Sequence, residues 1–170
     1  MAKDFIYPSD GALRRYFAPG DFLDGQSVRL PHPAPDAADL TIATFFHMPS
    51  WFHWLLGLRD TLVRPFGLKT GGPDDLRPPT RDEIANASYP GIFAVVAATE
   101  DEVILGTDDW HLDFRVSILR SVPDDLVAIS TWVRPHNGAG RLYLAMVYPF
   151  HRIIVARCLA NAASLGLVTA

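Results

Sequence analysis

One cysteine, three glutamates and no long run of like charge close several routes to function in this 170-residue chain. Cys158 alone makes no internal disulfide, which fits a reducing compartment, and its apolar neighbours mark an inert packed thiol. Glu83, Glu100 and Glu102 fall in loop or turn contexts and read as solvated surface. A net charge of −4 without a basic patch leaves nothing to track a phosphate backbone, so nucleic acid is not an expected partner. No HExxH or paired-cysteine pattern orders the six histidines, and neither a metal nor another cofactor is expected. "GAGRLY" lacks the third glycine of a dinucleotide fingerprint, "GLKTGG" lacks the P-loop spacing, and no Gly-x-Ser-x-Gly elbow occurs.

Membrane signals are sparse too. "MAKDFIYPSDGALRR" has no continuous apolar core of the signal-peptide kind. Residues 40–58 carry no Asp, Glu, Lys or Arg, but His47, Pro49, Ser50 and His53 interrupt them near the middle. Two shorter buried helices explain that stretch, so the expectation is a soluble, cytoplasmic protein without a membrane span.

What is present divides into an irregular arm, 1–20, and one domain over 21–166. The arm holds Pro8, Gly11, Pro19 and Gly20 and room for one helical turn. "DFLDGQSVRLP" offers a first strand, and Asp36 caps a helix over "AADLTIATFF". A second helix opens near Pro49 and Ser50, its apolar stripe formed by Trp51, Trp54, Leu55, Leu58 and Leu62. Arg59 sits at the border of that stripe, either snorkelling or reaching into a cavity. Residues 69–83 read as a loop long enough to act as a lid. "GIFAVVAA", "DEVILG", "DDWHLDFRVSILR" and "DLVAISTWVR", joined by tight turns, then make an antiparallel meander. The C-terminal run "GRLYLAMVYPFHRIIVARCLANAASLG" is apolar nearly all round and is expected to be a buried helix kinked at Pro149. A strand over 141–148 followed by a helix from Pro149 is the alternative.

In the last hairpin, pairing Arg120 with Asp125 sets Leu112, Phe114, Val116 and Ile118 against Val133, Thr131, Ile129 and Val127. The opposite face collects His111, Asp113, Arg115, Trp132 and Arg134, with His136 at the strand end. Two readings stand for that row. It is an outer face laced with cross-strand ion pairs, meeting water or a second subunit. Or it lines a cavity, where Arg115 and Arg134 hold a carboxylate or enolate and His111, oriented by Asp113, moves a proton.

"PSWFHWLLGLRDTLVRPFGLKT", "LGTDDWHLDFRVSIL" and "STWVRPHNGAGRLYLAMVYPFHRIIVARCL" resemble the uncharacterised family called domain of unknown function 2867, over roughly residues 20–165. "PFHR" and "HLDFR" are its most specific segments. Its members look like the helix-grip superfamily (START or Bet v 1-like, SRPBCC). The resemblance implies an α+β helix-grip fold, a curved antiparallel sheet wrapped around a long C-terminal helix, with a hydrophobic cavity between them. It implies no reaction.

Two functions are compatible with these residues. One is binding of an apolar or aromatic small molecule, lined by Trp51, Trp54, Phe114 and the C-terminal helix with Phe150, with cofactor-free cyclase or isomerase chemistry as the enzyme version. The other is a non-catalytic interaction module, such as a homodimer, whose core is filled by its own large side chains.

Overall fold

The alternating runs become strands and the longest apolar run becomes a helix in the computed structural model, which describes residues 2–30, 34–45, 77–90 and 93–164. The strands are β1 (Lys3–Asp4), β2 (Phe22–Arg29), β3 (Val95–Ala98), β4 (Glu102–Asp108), β5 (Leu112–Ser121) and β6 (Leu126–Pro135). They form one antiparallel sheet in the order β1-β2-β6-β5-β4-β3. Helices α1 (Ala37–Phe45) and α2 (Arg81–Ala85) lie between β2 and β3, and α3 (Gly138–Ala163) follows β6. This curved sheet with a long C-terminal helix is the expected α+β class, in a helix-grip arrangement.

The register of the last hairpin differs from expectation, yet its faces do not. Ser121 pairs with Leu126, so Phe114 faces Val133, Val116 faces Thr131 and Ile118 faces Ile129. Each partner is displaced by two residues, and an even displacement returns every side chain to its own face. Asp125 closes the turn with φ at 51°, a left-handed conformation that Asp tolerates better than most residues.

On one face Val103, Leu105, Ile118, Val127 and Ile129 form a core with Leu40 of α1 and with Val155, Leu159 and Ala162 of α3. Cys158 belongs to this core, and burial pushes its thiol up to about 12, which leaves it inert. Pro149 lies inside one continuous helix, which excludes the strand alternative for 141–148. The expectation of a helix buried all round fails on its outer side. Leu142, Met146, Phe150 and Ile153 are exposed, and apart from Gly140 the buried positions begin at Val155. By length and composition α3 is also the one helix among the described residues that could cross a membrane.

Helix α2 occupies part of the stretch that reads as a loop. Thr80 and Glu83 cap it reciprocally, and hydrogen bonds from Arg77 and Thr80 hold the Glu83 carboxyl down at about 2. Arg81 then ties α2 to Asp36 and Asp39 at the start of α1. Residues 69–76 of that loop, and the stretch with Trp51, Trp54 and Arg59 expected to be a helix, lie outside the described residues.

The N-terminal arm covers the other face of the sheet. β1 pairs with β2, and Gly25 admits the crossing chain, because a Cβ there would stand 2.6 Å from the Phe5 carbonyl oxygen. A 3-10 turn at Ala12–Tyr16 supplies the expected helical turn. Tyr7 and Leu13 bury themselves against Ile104 and Trp132. The Tyr7 hydroxyl donates to Glu102, which also accepts from Ser117 at 2.5 Å. Glu102 is therefore a half-buried strand residue and not the solvated turn that its sequence position suggests.

Candidate functional site

The polar row of β5 and β6 lies on the face away from α3, as expected, and only its end, at Arg134 and His136, reaches water. The arm seals most of it. Trp132 is 2% exposed and donates its indole N–H to Asp21 at 2.9 Å. Arg134 donates to the same carboxylate at 2.8 Å and to the Tyr16 carbonyl at 2.6 Å. Burial works against the charge of Asp21, but the hydrogen bonds from Arg134, Ala18 and Trp132 outweigh it and hold the carboxyl below its ordinary range. Arg115 pairs with Asp108 at 2.6 Å, donates to the Thr107 and Phe114 carbonyls, and stacks its guanidinium 4.9 Å from the centre of the Tyr16 ring. These cations are spent on the protein's own carboxylates.

His111 is not oriented by Asp113. The chain bends before β5, and His111 turns towards α3, its ring 5.5 Å from that of Tyr143 and its Nδ1 3.7 Å from Asp109. Asp113 instead meets His136 Nε2 at 3.0 Å. Phe114 packs edge-on to Phe93 at 5.7 Å, and Phe150 is 48% exposed on the outer side of α3. Trp51, Trp54 and Arg59 fall outside the described residues. The described members of the sequence-derived set are thus not gathered at one place.

A different cluster forms on the face that α3 covers. Alternation in β2 sends Phe22, Asp24, Gln26 and Val28 to that side, opposite Val133, Thr131, Ile129 and Val127 of β6. Three polar side chains, Asp24, Gln26 and Thr131, therefore enter an otherwise apolar layer, and α3 meets them with His151 and Arg152. Arg152 Nη1 donates to Asp24 Oδ1 at 3.0 Å, and its Nη2 donates to Asp4. Gln26 Nε2 donates to the Arg152 carbonyl at 3.1 Å. His151 Nε2 stands 4.0 Å from Asp24 Oδ2, too far for a hydrogen bond.

Three polar atoms of this cluster are left over. Asp24 Oδ2, Thr131 Oγ1 and His151 Nε2 are buried without a hydrogen-bond partner among the described residues. Arg115 Nε and Ser130 Oγ share that condition, but each lies on the sealed opposite face. An unmade hydrogen bond costs a buried polar group about 1–3 kcal/mol, so an imidazole nitrogen and two oxygens left without partners in one cluster call for an explanation. Burial pulls the His151 imidazole below its ordinary value, Asp24 opposes this and Arg152 adds to it, so the ring is neutral at pH 7. A neutral imidazole beside a carboxylate and a hydroxyl can bind an alcohol, a carbonyl or water, and can accept a proton that Asp24 would stabilise.

Arg152 also lines a groove of about 960 Å³ between α3 and the β1–β2 side of the sheet, with Ala2, Val28, Ile153, Ala156 and Ala160 as its apolar walls. Among the described residues no group of three His, Cys, Asp or Glu side chains is placed to hold a metal ion. Sequence reasoning missed Asp24, Thr131 and His151, although two signals were there. The β2 alternation puts Asp24 in register with Phe22 and Val28, and "PFHR" carries His151 and Arg152.

Comparison with curated proteins and with solved structures finds no match. Residues 17–158 match the family described as "Protein of unknown function (DUF2867)", a span that includes Asp24, Thr131, His151 and Arg152, and the chain belongs to that family.

Proposed function

We propose that the protein binds a small molecule with an apolar body and one polar group, in the manner of the helix-grip (START or Bet v 1-like, SRPBCC) superfamily. The apolar body lies along the groove beside α3, whose volume of about 960 Å³ falls in the ordinary range for ligand sites. The polar group reaches the Asp24–Thr131–His151 cluster. The observation that carries this reading is the set of three buried, unpartnered polar atoms on a face that is otherwise aliphatic. A hydroxyl placed among them would satisfy all three, donating to Asp24 and accepting from Thr131 and His151, whereas a carbonyl could accept from Thr131 and His151 only. The row of Arg115, Trp132 and Arg134 serves to fasten the arm.

Native mass spectrometry of the purified chain tests this. The wild type is expected to carry a co-purified small molecule, and Asp24→Asn/His151→Gln, which keeps side-chain volume, is expected to have lost it. A wild type of bare protein mass that gains no adduct from lipid extracts or aromatic metabolite pools would refute the proposal.

The second reading, an interaction module, draws on Leu142, Met146 and Phe150, exposed on α3, which a ligand in the groove would leave uncovered.

A further inference from the structure

The outer side of α3 is apolar, exposed and cationic at once. At 100° per residue Leu142, Ala145, Met146, Pro149, Phe150 and Ile153 fall within an arc of about 140°. Leu142 is 62% exposed, Met146 47%, Phe150 48% and Ile153 58%. Contiguous apolar exposure of this extent on a soluble protein marks a contact surface. Trp110, 51% exposed, sits beside the helix N-terminus, where its carbonyl accepts from the capping residue Asn137.

Charge says what the surface meets. No Asp or Glu follows Asp125, so every ionic residue of α3 is an arginine: Arg141, Arg152 and Arg157. Arg152 is engaged by Asp4 and Asp24. Arg141 and Arg157, both exposed, have no ion pair or side-chain hydrogen bond among the described residues, whereas Arg29, Arg77, Arg81, Arg115, Arg120 and Arg134 each hold a carboxylate and Arg14 and Arg15 donate to the Tyr7 carbonyl and the Tyr16 hydroxyl. These two arginines therefore stand near the two ends of the exposed apolar stripe of α3, about 24 Å apart along the helix. A second copy of the chain answers this pattern poorly. Antiparallel α3 helices crossing at Pro149 would set Arg141 near Arg157, and parallel helices would set like beside like, with no acid on either helix.

We infer that this side of α3 docks on an anionic lipid surface, with Leu142, Met146, Phe150 and Ile153 entering the boundary between headgroups and acyl chains and with Arg141 and Arg157 at the phosphates. An in-plane helix with apolar side chains on one face, basic residues beside them and a tryptophan close by is the arrangement that holds peripheral proteins on bilayers. The groove shares Ile153 and Arg157 with this stripe and would open beside the lipid.

Co-sedimentation of the full chain with vesicles tests the inference without reference to any small-molecule ligand. The protein is expected to bind vesicles of phosphatidylcholine with phosphatidylglycerol, to bind phosphatidylcholine alone far less, and to be released by salt. Removing the charges in Arg141→Gln/Arg157→Gln should lower partitioning about fivefold per arginine. Met146→Glu/Phe150→Glu should abolish it, while circular dichroism stays unchanged because both side chains are exposed. Equal partitioning to neutral and anionic vesicles, or none to either, would overturn the inference. So would a dimer in analytical ultracentrifugation that Met146→Glu/Phe150→Glu converts to monomer, since that would give the stripe to a second copy.

Discussion

At the scale of single residues, the polar atoms beneath α3 make distinct predictions. Thr131 presents a buried hydroxyl with no partner, and valine has nearly its shape. Thr131→Val is expected to raise the unfolding free energy of ligand-free protein by about 1 kcal/mol in urea denaturation, while weakening retention of the ligand. A comparable loss of stability would mean that the hydroxyl is already bonded. His151 yields a pH dependence. Its folded value lies below the ordinary value of about 6.5, so the unfolded chain binds the proton more readily. The stability tied to its neutral form is complete above about pH 6.5 and is lost as the pH falls towards the folded value. Thermal melts from about pH 7 down to about pH 5 should show this decline in the wild type and a shallower one in His151→Gln. Asp21 has the sign usual for a carboxylate: its contribution is complete above its ordinary range and fades as acid protonates it in the folded state. Asp21→Asn should cost about 2 kcal/mol, by weakening charge-assisted bonds to Arg134 and Trp132 together.

At the scale of elements, the arm and the start of α3 decide what the sheet faces see. Gly140 brings the first turn of α3 against β5, and a Cβ there would lie 2.1 Å from the His111 carbonyl oxygen. That atom belongs to a fixed backbone, so Gly140→Ala should lower stability by about 2–3 kcal/mol, measured by denaturant unfolding. The strands and the long helix were legible because their periodicity is local: alternate apolar residues in β5 and β6 name their own inner face. The cover of the outer face was not legible, since Tyr7, Tyr16 and Asp21 reach Glu102, Arg115 and Arg134 across about a hundred residues with no periodic signal. The same limit hid the site. Asp24 and His151 meet only because β2 runs under the middle of α3, and neither stretch announces the other. The capping box of α2 could have been read, as Thr80 and Glu83 carry its spacing plainly.

At the scale of the whole molecule, two faces of one sheet have opposite fates. The face rich in arginine, with an indole and a carboxylate, is covered over most of its extent by the N-terminal arm and contributes stability. The aliphatic face carries Asp24, Thr131 and His151, each with an unpartnered polar atom, beside Arg152 of the groove and under the helix that bears Arg141 and Arg157. Both proposed binding surfaces therefore lie on α3, one on each of its sides. A high-resolution crystal structure of the protein as purified tests the assignment most directly. The account predicts density for a ligand group or an ordered water bonded to Asp24 Oδ2, Thr131 Oγ1 and His151 Nε2. Those three atoms bonded to one another with nothing between them, and a ligand lying instead under the arm against Arg115 and Arg134, would contradict it.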